Sequence, residues 1–105
     1  MTTPRTVPKV YETEAGFMRT VIEYAQLMGW HVYHPQLSKW SEPGYPDLTM
    51  LRPPRMVVAE LKTDRKASKL TPAQQRWLDE FRQCRGIEVH VWRPSNWDLI
   101  EIVLR

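Results

Sequence analysis

The chain has 105 residues, of which 42% are hydrophobic and 26% charged, a composition typical of one soluble globular domain. Its net charge of +3 permits a polyanionic partner without requiring one. No apolar run approaches the ~20 residues of a membrane span, and the single cysteine, Cys84, has no partner for an internal disulfide. We therefore expect a cytoplasmic protein without membrane contact, with a flexible arm over residues 1–11 and one domain over residues 12–105.

The first predicted element is a helix that follows Thr13, a good N-cap residue, and ends at Gly29. Apolar residues recur between them at helical spacing, from Phe17 to Met28. A short alternating strand is predicted over residues 30–34, and a loop over residues 35–45 leads to the next element.

A β-hairpin is predicted next, because two apolar, β-prone runs flank Pro53 and Pro54. If the turn centres on these prolines, the pairing continues outward until Asp47 faces Glu60. Directly opposed residues have Cβ atoms about 4.5–5.5 Å apart. Lys62 lies two positions beyond Glu60 and therefore projects from the same face of the sheet.

The second half of the chain begins with the clearest helix signal. Thr71 is its N-cap, Pro72 occupies the first helical position, and Gln74 completes a capping box. A strand over residues 87–92 and a turn over 94–96 follow. The last segment, over residues 97–104, is a short helix or a strand, and we favour the helix. The order α-β-β-β-α-β-α predicts an α/β domain, a mixed sheet flanked by helices.

The facing acids indicate a metal site. Two carboxylates this close repel each other, whereas Mg²⁺ or Mn²⁺ binds carboxylate oxygens and would remove that repulsion. A neighbouring lysine would hold a water molecule or balance charge on a phosphate. The alternative is a solvent-facing edge strand with charges on its wet side, and a turn of odd length would move Asp47 to the other face.

Other polar residues allow two interpretations each. Glu14 is either a third acid reaching the site or a first-turn glutamate that favours the helix dipole. Gln74 caps its helix and could also orient a water or a phosphate. Four cations near the Glu60 strand are either ordinary surface charges or phosphate contacts, namely Arg65, Lys66, Lys69 and Arg76.

Five sequence elements in this order resemble the VRR-NUC family of virus-type replication-repair nucleases, within the PD-(D/E)xK superfamily. The resemblance covers about residues 13–94 and includes the Val-Trp-Arg-Pro sequence that ends the fourth strand. The five elements are Glu14, Gly44-x-Pro-Asp47-Leu, Glu60-Leu-Lys62, Leu70-Thr-x-x-Gln74 and the Trp-Leu that follows.

The resemblance implies a restriction-endonuclease-like fold and metal-dependent hydrolysis of DNA. Asp47 and Glu60 would bind Mg²⁺ or Mn²⁺ with the Leu61 carbonyl, and Glu14 would complete the acidic cluster directly or through water. Lys62 would orient or activate the attacking water, and Gln74 matches the glutamine that follows the lysine strand in this family. Small versions look like phage proteins and resemble dimeric Holliday-junction resolvases.

We therefore expect a homodimeric endonuclease selective for branched DNA such as Holliday junctions. Two symmetric cuts need two sites, which a C2 dimer supplies. Trp40, Tyr45 and Trp97 are candidate interface or DNA-contact residues. The alternatives are a non-catalytic nucleic-acid-binding or accessory module, and a nuclease of the same fold that acts on flaps, ends or duplex DNA.

Overall fold

The computed structural model describes residues 13–36 and 42–105. The expectations for the arm over residues 1–11 and for Trp40 fall outside these ranges. The elements are α1 (Glu14–Leu27), β1 (His31–Tyr33), β2 (Leu48–Arg52), β3 (Arg55–Leu61), α2 (Pro72–Gln83), β4 (Ile87–Trp92), a 3₁₀ turn (Pro94–Asn96) and α3 (Trp97–Leu104). The described part of the chain contains no helix long and apolar enough to cross a membrane.

The four strands form one mixed sheet in the order β1-β2-β3-β4. The β1–β2 and β2–β3 pairs are antiparallel, whereas β4 runs parallel to β3. A parallel pair needs a long crossover connection, and α2 lies in it. The predicted α/β class, a mixed sheet flanked by helices, is confirmed.

The main core lies between the sheet and the pair α1 and α3. Alternate residues of β3, Val57, Ala59 and Leu61, are fully buried in this core. The helices and the other strands contribute the rest of it, including Phe17, Val21, Ala25, Leu48, Met50, Trp92, Trp97 and Ile100. Val58 and Leu78 are buried outside this cluster, as expected if α2 packs on the opposite face. Glu60 and Lys62 project toward that second face by the same alternation.

The β2–β3 turn also anchors the end of α3. Arg52 and Arg55 face each other across the turn, and their guanidinium carbons lie 4.6 and 4.9 Å from the centroid of Trp30. Both arginines donate to carbonyls of the last turn of α3, those of Leu104 and Val103 respectively. The negative end of a helix dipole favours cations, which explains why two like charges occupy one cross-strand pair.

The expectation that Trp97 is an interface or DNA-contact residue is wrong. Trp97 is only 6% exposed and packs edge-on against Tyr24, so it is a core residue rather than a surface contact. Cys84 is exposed at the end of α2. That helix ends at Gln83, three residues before Gly86, because Cys84 already has extended backbone.

Candidate functional site

The two acids meet where the ladder between β2 and β3 ends. The predicted register is confirmed, from Arg52 opposite Arg55 at the turn to Leu48 opposite Ala59. Beyond the last pair, side chains replace backbone partners. The Asp47 N–H donates to Oε1 of Glu60 at 3.2 Å, and the Leu61 N–H donates to Oδ2 of Asp47 at 2.8 Å.

Glu60 is the most strongly perturbed acid of the site. It is only 2% exposed, and burial raises its pKa to about 8, an effect reinforced by the neighbouring charge of Asp47 and a hydrogen bond between the two carboxyl groups. Lys62 opposes this rise without cancelling it. Strongly perturbed buried acids are enriched at functional sites, because a purely structural site rarely retains such a cost.

Lys62 is a second buried charge at the site, beside Glu60 and the half-buried Asp47. Its Nζ lies 3.6 Å from Oε2 of Glu60, and its side chain is only 9% exposed. Its N–H donates to the Trp92 carbonyl at 2.9 Å, which extends the pairing of β3 with β4 by one residue. The backbone of both strands therefore fixes where the ammonium group is presented.

The segment before Asp47 is fastened to α2. Gly44 has φ +82°, and a Cβ at this position would lie 2.6 Å from the Ala73 carbonyl carbon. Tyr45 packs edge-on against Trp77, with ring centroids 5.0 Å apart, and the Trp77 indole N–H donates to the Pro43 carbonyl at 3.1 Å. Because of these contacts, the start of α2 and the Asp47 backbone hold each other in place.

Gln74 and Glu14 occupy the predicted helix positions. The Gln74 side chain accepts the Thr71 N–H at 2.9 Å, and the Thr71 hydroxyl accepts the Gln74 N–H at 3.1 Å, which confirms the capping box. Glu14 is exposed in the first turn of α1, after its N-cap Thr13. The expectation that either residue acts at the site stays a prediction.

The four predicted phosphate-binding cations are all exposed. Arg65, Lys66 and Lys69 lie on the loop that follows Lys62, so they are joined to the site by a short stretch of chain. Arg76, on α2, forms an exposed ion pair with Glu80 at 3.5 Å and lines a surface groove of about 600 Å³ beside Pro43 and Trp77.

The donor set fits a hard divalent cation that keeps much of its water. Among the described residues, no group of three or more His, Cys, Asp or Glu is close enough to hold a metal ion. Mg²⁺, however, is usually bound by one or two carboxylates, with waters and substrate phosphates completing its coordination. Asp47 and Glu60 supply those two carboxylates, and a cation between them would displace the proton that the raised pKa of Glu60 favours.

A solved structure described as a VRR_NUC domain has this architecture. It is 27% identical to the chain, superposes with a TM-score of 0.64, and the match covers 83% of this chain and 91% of the other. The chain is therefore similar, in both fold and sequence, to a VRR_NUC domain. The resemblance seen in the sequence is thereby confirmed, and with it a nuclease-type domain. No protein-family model and no curated protein matches the chain.

Arg93 is a polar residue beside the site to which the sequence pattern assigned no role. Arg93 directly follows β4 and donates to two carbonyls of the loop after Lys62, those of Thr63 and Ser68. Its position could have been inferred from the sequence, because the parallel strands β3 and β4 end at the same edge of the sheet. Arg93, just after β4, is therefore expected near Lys62, just after β3.

Proposed function

We propose that this domain is a Mg²⁺- or Mn²⁺-dependent endonuclease that hydrolyses phosphodiester bonds in DNA. The supporting observation is the buried Glu60, which contacts both Asp47 and Lys62 through its two oxygens. A solvated edge strand would leave these charges exposed, whereas Glu60 is 2% and Lys62 7% exposed. Burying two charged side chains costs free energy, and a joint functional role of Glu60 and Lys62 explains why the fold retains that cost.

Asp47 and Glu60 would hold the cation, with the Leu61 carbonyl as a third ligand and Glu14 acting directly or through water. A bound cation supplies Lewis acidity toward the scissile phosphate and neutralises charge there. The protein's own contribution is to fix the two carboxylates. Each is held by an N–H of the opposite strand, so little rearrangement is needed before a cation binds.

Lys62 would act on the attacking water or on the phosphate. Its ammonium group is held beside Glu60 and has three donors, so it can orient a water molecule while balancing negative charge. Gln74, at the start of α2, would orient a second polar group of the substrate. Arg65, Lys66, Lys69 and Arg76 would contact flanking phosphates, since phosphate contacts supply most sequence-independent affinity for DNA.

We further propose that the substrate is branched DNA, such as a Holliday junction, and that the working unit is a homodimer. A domain of 105 residues has little surface with which to read a base sequence. Paired cuts across a junction need two sites related by two-fold symmetry. Processing of such junctions is a DNA-repair reaction, and the net charge of +3 permits a polyanionic partner such as DNA.

The test is cleavage of labelled four-way junction, flap, single-stranded and duplex DNA, each with Mg²⁺, Mn²⁺ or EDTA. Lys62→Ala is the control for contaminating nuclease. Paired, metal-dependent nicks in the junction that disappear in Lys62→Ala support the whole proposal. Cutting of another substrate retains the nuclease and rejects the junction preference. Tight binding without cutting under either metal contradicts the nuclease and favours a binding module.

A further inference from the structure

The loop that follows Lys62 is tied down by one side chain. Arg93 donates through one guanidinium nitrogen to the Thr63 carbonyl and through another to the Ser68 carbonyl, at 2.7 Å for the latter. Thr63 is the residue directly after Lys62, and Ser68 lies near the far end of the same loop. A single planar group therefore spans both ends of the loop.

Further hydrogen bonds close the loop on itself and on the same support. The Thr63 N–H donates to the Ser68 hydroxyl at 3.0 Å. The carboxylate of Asp64 accepts from the Ser95 hydroxyl at 2.8 Å and from its N–H at 3.4 Å. Arg93 and Ser95 both follow β4, so one short segment organises the whole loop.

The loop carries two lysines that are exposed to solvent. Lys66 and Lys69 are exposed, and neither forms an ion pair with another described residue. The Trp92 carbonyl, at the end of β4, also accepts the Lys62 N–H. The end of β4 and the residues after it therefore hold both the Lys62 backbone and the loop that carries Lys66 and Lys69.

We propose that Arg93 is a positioning residue that sets the affinity for the phosphate backbone by holding the loop over residues 63–69 beside Lys62. This inference rests on the proposed function, because it assigns the loop to the DNA of that same site. Arginine suits the role because its rigid fork can reach two carbonyls at once, whereas a lysine ammonium is a single point. A loop ordered before binding loses less entropy when its cations contact phosphates.

The experiment measures DNA affinity against salt concentration in EDTA, where no cleavage occurs, using four-way junction and duplex DNA. Arg93→Lys keeps the charge and removes the two-carbonyl bridge. We expect this substitution to weaken binding by about five- to tenfold. The slope of log affinity against log salt concentration, called the salt slope below, should become shallower by roughly 1 to 2, the equivalent of one or two lost phosphate contacts. If Arg93 only stabilised the fold, its substitution would leave the salt slope unchanged.

Arg55→Lys is the matched control. Arg55 is also half-buried, bridges Glu88 and the Val103 carbonyl, and lies at the β2–β3 turn, at the opposite end of β3 from Lys62. Arg55→Lys should lose about as much stability as Arg93→Lys but leave the salt slope unchanged. In the Arg65→Ala, Lys66→Ala, Lys69→Ala background, Arg93→Lys should weaken binding by less than about twofold, because the loop cations that it positions are gone.

Two results would overturn the inference: an unchanged salt slope in Arg93→Lys, or a full, additive loss of affinity in the background without the three loop cations. Should Arg93→Lys fail to fold, Ser95→Ala, which loosens the Asp64 contact, must lower the slope instead. A parent protein that shows this coupling yet cuts no substrate would reject the nuclease alone, whereas a parent that binds no DNA would reject both proposals.

Discussion

Asp47 and Glu60 are locked together by each other's strands: the Asp47 N–H donates to Oε1 of Glu60 at 3.2 Å, and Oδ2 of Asp47 accepts the Leu61 N–H at 2.8 Å. The β2–β3 ladder would otherwise lose its backbone partners here. Because the carboxylates act as those partners, the fold itself requires both acids to be close. The resulting repulsion is what a cation relieves.

The first prediction concerns pH. The pKa of Glu60 is raised from 4.5 to about 8 in the folded protein, so between these values the folded state keeps a proton that the unfolded state has lost. Stability in EDTA should be full below about pH 4.5 and should fall as the pH rises to 8. Carboxyl ¹³C NMR of Glu60 measures the pKa directly, and a midpoint near 4.5 would contradict the account.

The second prediction is that Glu60→Gln makes the protein more stable at high pH and abolishes its activity. The amide can still accept the Asp47 N–H, but it carries no buried charge. In EDTA at pH 9 the variant should be more stable than the parent by roughly 1 to 3 kcal/mol, and near pH 4, where Glu60 is protonated in both the folded and unfolded parent, the two should be similar. Thermal denaturation at both pH values tests this, and a variant that is destabilised at pH 9 would disprove it. Cleavage should be lost.

The third prediction concerns Lys62. Lys62→Met keeps the buried aliphatic stem and removes the ammonium group, so the fold should persist. Single-turnover cleavage should slow by roughly 10² to 10⁴, the usual contribution of proton handling. Lys66→Met is the exposed control, which should change DNA affinity more than the cleavage rate at saturation. Equal single-turnover rates in parent and Lys62→Met would remove Lys62 from the chemistry.

The fourth prediction compares two glycines with positive φ. At Gly44 (φ +82°) an added Cβ meets the Ala73 backbone at 2.6 Å, whereas at Gly86 (φ +77°) no described atom lies within 4 Å. Gly86→Ala should cost about 1 to 2 kcal/mol, from backbone strain alone. Gly44→Ala should lower the free energy of unfolding by roughly 3 kcal/mol or more, and it should shift the Asp47 segment away from the start of α2. Urea denaturation gives both values, and equal losses would refute the packing argument.

Local sequence signals predicted most of this fold and the centre of its site. A turn of two prolines fixes a hairpin register, and that register alone places Asp47 opposite Glu60. The capping residues Thr13 and Thr71 likewise marked the starts of α1 and α2. These features depend on neighbours in sequence, so the sequence is sufficient to predict them.

Long-range packing explains what the sequence did not predict. Trp97 was expected to be an interface or DNA-contact residue, but α1 brings Tyr24 against it. Arg93 had no assigned role, since its two carbonyl partners lie 30 and 25 residues away along the chain. Glu14 is exposed on α1, and its action at the site stays a prediction.

The most direct test of the cation site is a titration of the DNA-free protein with substoichiometric Mn²⁺, followed by ¹H–¹⁵N NMR. The amides of Asp47 and Leu61 donate to the two carboxylates, so a paramagnetic ion bound there must broaden their signals first. We predict this broadening in the parent and its loss in Glu60→Gln. Early broadening elsewhere, for example near the exposed Glu42 and Glu80, with Asp47 and Leu61 unaffected, would contradict the assignment of the acid pair as the metal site.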